Sequence, residues 1–315
     1  MINEGLKSAI LKVLAKRSGI PVVIDGISQV GGGCINDSFR LDTSVGVFFM
    51  KYNDANRYPG MFEAEARGLL LLAGREGERE GEEARGRKGE RARGRGGEGP
   101  RVPEVIGVGG DERYSFLVLE YLESGDMCKG FWEDFGTRLA NMHRHTSDVF
   151  GLDHPNYIGS LPQSNKTQKS WIDFFVEERL EAQLRLARDA GRVERELGRW
   201  FQALYTHLPD LFPEEPPALL HGDLWSGNFM VGTDGRAAIV DPAVYYGHRY
   251  MDLGMSKLFG GFAPAFYRAY EDAYPLEKGW REGIEIANLY PLMVHVNLFG
   301  GGYLSSVKTI LRKFR

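Results

Sequence analysis

Near Lys129 the apolar pattern of this chain passes from mostly strand-like to mostly helix-like, and that change constrains the fold more than any other feature. Over residues 20–52, "IPVVIDGISQVGGGCINDSFRLDTSVGVFFMKY", short apolar runs alternate with glycine. They predict strand, glycine turn, strand, turn, strand. "YPGMFEAEARGLLLLAG" predicts a helix over 59–73, with Pro59 near its first turn. "RVPEVIGVGG" and "YSFLVLEYLES" add two more strands. From Lys129 onward, segments such as "FWEDFGTRLANMHRHT" and "SWIDFFVEERLEAQLRLAR" carry apolar residues at spacings of three and four, as helices do. A sheet face and a helix stripe must both be buried. The expected architecture is therefore α+β: a β-rich N-terminal lobe over 1–122 with one key helix, and a larger, mostly helical lobe over 123–315.

Composition removes several function classes. A net charge of −4 gives no electrostatic basis for nucleic-acid binding. Two cysteines, Cys34 and Cys128, cannot build a disulfide framework or a four-cysteine zinc site, and they fit a reducing compartment. No apolar run approaches the ~20 residues that span a bilayer. The first residues, "MINEGLKSAILKVLAKRSG", lack a continuous apolar stretch and read as an amphipathic helix with Leu6, Ile10, Leu11 and Leu14 on one face. The expectation is a cytoplasmic protein, with organellar import left open. Residues 74–99 contain only Gly, Glu, Arg, Lys and Ala. Such a segment has almost nothing to bury, so it is expected to be a disordered insertion.

The chemistry concentrates in "LLHGDLWSGNFMVGTDGRAAIVDPAVYYG", residues 219–247. One Asp ahead of a turn is ordinary. His221-Gly-Asp223 followed by Asn228, and then by Asp241 after an apolar run, is far more specific. The pattern resembles the kinase catalytic loop: an Asp takes the hydroxyl proton, and an Asn and a later Asp hold Mg²⁺. Phosphoryl transfer needs those types, an oxygen base beside the attacking hydroxyl and hard oxygen ligands for the metal. Upstream, Gly31, Gly32, Gly33 and Cys34 occupy a turn between strands, where backbone N–H groups can approach phosphate. Lys51 lies on the next strand, placed to reach phosphates. Glu65 is the expected carboxylate partner, since Leu69 and Leu72 put it near the inward helix face; Glu63 is the alternative. Glu120 ends the apolar strand "FLVLE" and Leu122 follows it, and both are expected to meet adenine through main-chain atoms.

These residues resemble the kinase-like phosphotransferases, which include aminoglycoside and choline kinases. The motifs "GGGCI", "FMKYN", "HGDLWSGN", "DPAVYYGHRYMDLGMSKLFGGF" and "NLFGGGY" are similar to the fructosamine kinase, or ketosamine-3-kinase, family. The resemblance implies a two-lobed protein-kinase-like fold, use of ATP and Mg²⁺, and phosphorylation of the sugar 3-hydroxyl of ketosamines, including glycated proteins. The phosphorylated adduct is unstable and frees the amine. Carried over by position, Asp223 is the base, Asn228 and Asp241 hold Mg²⁺, and Lys51 with Glu65 positions phosphates. Trp225 walls the sugar, and His295 and Asn297 line the substrate side. Asp252 is expected to receive backbone N–H groups of the catalytic loop, and His221 to organise that loop. The resemblance also implies that a cysteine at the position of Cys34 can bridge two chains, so the expected state is a monomer or a redox-linked homodimer. A kinase of another small hydroxyl compound, an amino sugar or amino alcohol, is the alternative. Intact Lys51, Asp223, Asn228 and Asp241 argue against a pseudokinase.

Overall fold

The computed structural model describes residues 2–31, 36–75 and 99–314. The chain divides into two compact units, Met1–Lys129 with Met230–Val240, and Gly130–Phe229 with Asp241–Arg315. No helix among the described residues is long and apolar enough to cross a membrane.

The first unit is built on a five-stranded antiparallel sheet. Helix α1 (Glu4–Ser18) precedes strands β1 (Ile24–Gln29), β2 (Asp37–Thr43) and β3 (Gly46–Asp54), then helix α2 (Met61–Leu72), β4 (Val105–Gly110) and β5 (Tyr114–Glu120). The strand order is β1-β2-β3-β5-β4. Alternation along the strands sorts side chains between two faces. Met50, Tyr52, Phe116 and Val118 pack with Leu6, Ile10 and Leu14 of α1. Leu117 and Leu119 pack with Phe62, Ala66 and Leu69 of α2 on the other face. Lys51 pairs with Leu117 across the β3–β5 ladder, so its side chain falls on the α2 side. The helix starts at Met61 rather than at Pro59, because Gly60 takes the left-handed conformation, φ 70°, and caps it there.

One piece of this unit comes from far along the chain. The segment Met230–Val240 carries strand Ala237–Ile239, bridged in parallel to Arg101 through Ala238. Ile239 N–H donates to Arg101 O at 2.8 Å, and Gly125 N–H donates to Val231 O at 2.9 Å.

The second unit is mostly helical. Helix α3 (Phe131–His143) lies against the helix Pro264–Ala273. A Cβ on Gly136 would meet Phe266 O at 2.2 Å, so glycine is what permits that approach. Phe135, Phe229, Phe262 and Phe266 fill the space beside it. The long apolar run predicted as one helix contains a π turn, Phe175–Glu181, between Trp171–Phe174 and Ala182–Asp189. That turn points fully buried Arg179 inward, where it donates to Ser164 O at 2.6 Å and Asn165 Oδ1 at 2.8 Å. Its guanidinium stacks 3.9 Å from the ring of Tyr245. Tyr245 opens the short strand Tyr245–Gly247, which pairs with Ala218–Leu220, the strand leading into the His221–Asn228 loop.

Candidate active site

In the first unit, the β3 lysine and an α2 carboxylate meet as an ion pair. Lys51 Nζ lies 2.5 Å from Glu65 Oε1, and both side chains are nearly buried. A pair removed from water in this way keeps its geometry only with good partners, which suits an ammonium held for phosphate rather than one waving in solvent. Gly31 is exposed two residues after the end of β1; Gly32, Gly33 and Cys34 lie outside the described residues. Glu120 closes β5 with its carboxylate bonded to Arg101 and to Glu104 N–H, and its own N–H donates to Glu104 O at 2.8 Å. The Glu120 backbone N–H is therefore already committed. Leu122 is buried two residues further on.

In the second unit, the His221–Asn228 loop is held from below by Asp252. Its Oδ2 accepts His221 N–H at 2.7 Å and its Oδ1 accepts Gly222 N–H at 2.9 Å. His143, at the end of α3, contacts Asp252 Oδ2 through Nε2 at 3.2 Å, while its Nδ1 meets Tyr270 Oη at 2.8 Å. Burial opposes the Asp252 charge, but the hydrogen bonds and charges of His143, His221 and Gly222 N–H hold its carboxyl below the usual carboxylate value. Gly222 has φ 81°, and a Cβ there would meet Ala243 O at 2.1 Å, so the turn requires glycine. His221 is fully buried and its Nδ1 accepts Asp223 N–H at 3.3 Å, an organising contact.

Asp223 and Asn228 are locked together. Asn228 Nδ2 donates to Asp223 O and to Asp223 Oδ2, both at 2.9 Å. That commits the amide nitrogen and leaves Asn228 Oδ1 as a hard oxygen with no donor facing it among the described residues. Asp241 is exposed and takes φ 54°, a strained value for a residue that is not glycine. An Asn oxygen with a carboxylate fits Mg²⁺ shared with nucleotide phosphates, the usual way that ion is held. Among the described residues no cluster of three His, Cys, Asp or Glu could hold a metal unaided. Burial pushes the Asp223 carboxyl up to about 7; the Asn228 bond works against this, and the nearby Asp241 and Asp252 charges add to it.

Asp223 faces a narrow cavity of about 20 Å³, lined by Ile158, Met251, Met255, Tyr290, Val294 and His295 among others. His295 is thus brought to the predicted site. Asn297 is not among the lining residues: its Nδ2 donates to Gln183 O at 2.9 Å and to Gln183 Oε1 at 2.8 Å. Trp225 is half-buried, with its ring 6.1 Å from that of Phe259. Tyr290, Met251 and Met255 were not singled out from sequence. A signal existed for one of them: Pro291 and His295 are four apart on one helix, and Tyr290 with Val294 continues that face.

The sheet with its Lys–Glu pair, and the helical unit with an Asp–Asn loop and a following Asp, define a kinase-like phosphotransferase. The chain belongs to the fructosamine kinase family, whose model matches residues 6–78 and 95–315. It is 38% identical over 292 aligned residues to the chloroplastic protein-ribulosamine 3-kinase of Arabidopsis thaliana, covering 91% of this chain and 82% of that one. A candidate ketoamine kinase of Enterococcus faecium is 37% identical, with 91% and 95% covered. The crystal structure of a candidate fructosamine-3-kinase from Haemophilus somnus 129PT superposes with a TM-score of 0.83 at 28% identity, covering 99% of this chain and 98% of the other. A thermostable mutant of the aminoglycoside phosphotransferase APH(4)-Ia, solved with ADP and hygromycin B, shares the fold alone, with a TM-score of 0.58 at 14% identity over 96% of this chain and 98% of the other.

Proposed function

We propose that this chain uses ATP and Mg²⁺ to phosphorylate the sugar 3-hydroxyl of ketosamines, free or carried on glycated proteins. The observation that carries the reading is Asp223, a half-buried carboxylate gripped by Asn228 at a narrow cavity, in a chain of this family. Its raised pKa makes it a base matched to neutral pH. As the substrate oxygen forms its bond to the γ-phosphorus, the bond to ADP breaks and the hydroxyl proton passes to Asp223. Lys51, steadied by Glu65, serves the phosphates. Asn228 Oδ1 and Asp241 would hold Mg²⁺, which neutralises charge on the transferring group. Trp225 packs against the sugar.

The product chemistry supports deglycation. Phosphate on C3 is a better leaving group than hydroxide. Its loss from the enaminol form of the adduct leaves an imine, which water hydrolyses to the free amine. The test is ADP release with Mg-ATP against a ribulosamine, a fructosamine, choline and an aminoglycoside, with the phosphorylated carbon located by NMR. Phosphate on C3 of the ketosamines is expected. Turnover of choline or the aminoglycoside alone would replace the reading with a kinase of another amino alcohol or amino sugar.

A further inference from the structure

Beside the Asp223 cavity the second unit assembles a cluster of aromatic rings from three separate segments. The first segment is the loop after Leu258. Phe259 has φ 53°, and Gly260 and Gly261 follow at 108° and 69°. A bulky aromatic residue in the left-handed region is an outlier, and such strain persists only where surrounding structure enforces it. The result is a sharp reversal. Phe262 returns to the core at 6% exposure, while Phe259 stays 38% exposed.

The other rings come from the end of the 289–299 helix and the turn after it. The Phe259 ring lies 4.7 Å from His295 and 6.2 Å from Tyr303. His295 lies 4.9 Å from Tyr303 and 5.5 Å from Phe299, which is 59% exposed. Trp225 joins from the catalytic loop at 6.1 Å from Phe259. His295 itself lines the Asp223 cavity, so the cluster is continuous with the site of phosphoryl transfer.

Its chemistry is specific. His295 Nδ1–H donates to Pro291 O at 2.7 Å, which fixes the tautomer and leaves the Nε2 lone pair without a partner among the described residues. Burial lowers the pKa of this imidazole, so the ring adds no positive charge at neutral pH. Exposed π faces around one nitrogen acceptor attract an N–H cation and offer little to a neutral polar group. A ketosamine carries such a cation. Its secondary amine is protonated at neutral pH and is joined to the reacting 3-oxygen through only three carbons. An amine site must therefore adjoin Asp223, as this cluster does.

We propose that Phe259, His295, Phe299 and Tyr303 form an aromatic cage for the protonated amine of the substrate, and that this cage selects amine adducts over parent sugars. The inference rests on the ketosamine reading and goes beyond it by assigning the amine contacts.

The test compares a 1-ethylamino-1-deoxyketose with its 1-ethoxy ether, which keeps the shape and the 3-hydroxyl but not the charge. The readout is the amine-to-ether ratio of kcat/KM, so any loss common to both substrates cancels. In the wild-type protein the amine is expected to win by about 5- to 30-fold, carried in KM. Phe259→Leu with Tyr303→Leu is expected to bring the ratio within ~2-fold of unity, while Phe259→Tyr, which keeps a π face, restores it. A wild-type ratio near one overturns the cage without any variant, and so does an undiminished ratio in a leucine variant that melts normally. Turnover of neither compound overturns the ketosamine reading and the cage with it, an outcome distinct from equal turnover of both.

Discussion

Asp252→Asn probes the support of the catalytic loop without changing side-chain size. In the native protein one carboxylate serves three partners: His221 N–H and His143 Nε2 at one oxygen, Gly222 N–H at the other. An amide keeps one oxygen. If that oxygen faces His221 and His143, the new NH₂ faces Gly222 N–H, donor against donor. One buried backbone donor is then unsatisfied, at a cost of roughly 1–3 kcal/mol. The loop also loses the bond that sets the direction of the residue before Asp223, and a misplacement of ~1 Å at a reacting group lowers rate by about 10²-fold. The pH dependence carries a sign. A carboxyl with a folded pKa below its unfolded value contributes stability above the unfolded value, and that contribution is lost as pH falls through the folded one. Wild-type protein should therefore show an acid limb below the ordinary carboxylate range that the variant lacks in part. Urea melts between about pH 2 and pH 7, run beside steady-state kinetics at neutral pH, measure both effects. Wild-type kcat together with wild-type stability in Asp252→Asn would refute the reasoning.

Asp223→Asn should fold normally and bind nucleotide, since Asn228 can still donate to the remaining oxygen, yet lose about 10²–10⁴-fold in kcat. Asp241→Ala should weaken nucleotide binding only when Mg²⁺ is present; equal affinities in titrations with and without the metal would remove Asp241 from the metal site. Lys51→Met leaves Glu65 buried without its ammonium and should lower stability as well as nucleotide affinity, whereas Lys51→Met with Glu65→Gln should recover stability but not affinity. His248 is fully buried and burial lowers its pKa from 6.5 to about 4, so the unfolded chain binds the extra proton first. Stability should fall as pH drops from about 6.5 towards 4, by roughly 3 kcal/mol in full, and His248→Gln should flatten that slope in thermal melts.

Some of this was legible in the residues alone. Alternation in "VFFMKYN" sets Lys51 opposite Met50 and Tyr52, and helical spacing turns Glu65 to the side of Leu69. Those are local periodicities, fixed by backbone geometry whatever the chain does next. The reach from Asp223 to Asn228 is likewise one tight loop, short enough for sequence to imply the contact.

Other features needed the whole chain. The return of Met230–Val240 to the first unit depends on a pairing with Arg101 more than a hundred residues earlier, which no local pattern encodes. The π turn that aims Arg179 under Tyr245 has the same apolar spacing as an α-helix and is settled by packing. Asn297 shares a helix with His295, but its amide is claimed by Gln183, which sequence spacing could not show. His143 reaches Asp252 across 109 positions, and the rings of Phe259, His295 and Tyr303 meet only when the end of one helix, the turn after it and a strained loop converge. Sequence supplied the residue types and the short-range geometry. The charge environment of Asp223, and the company His295 keeps, arise from burial and long-range contacts that exist only in the folded chain.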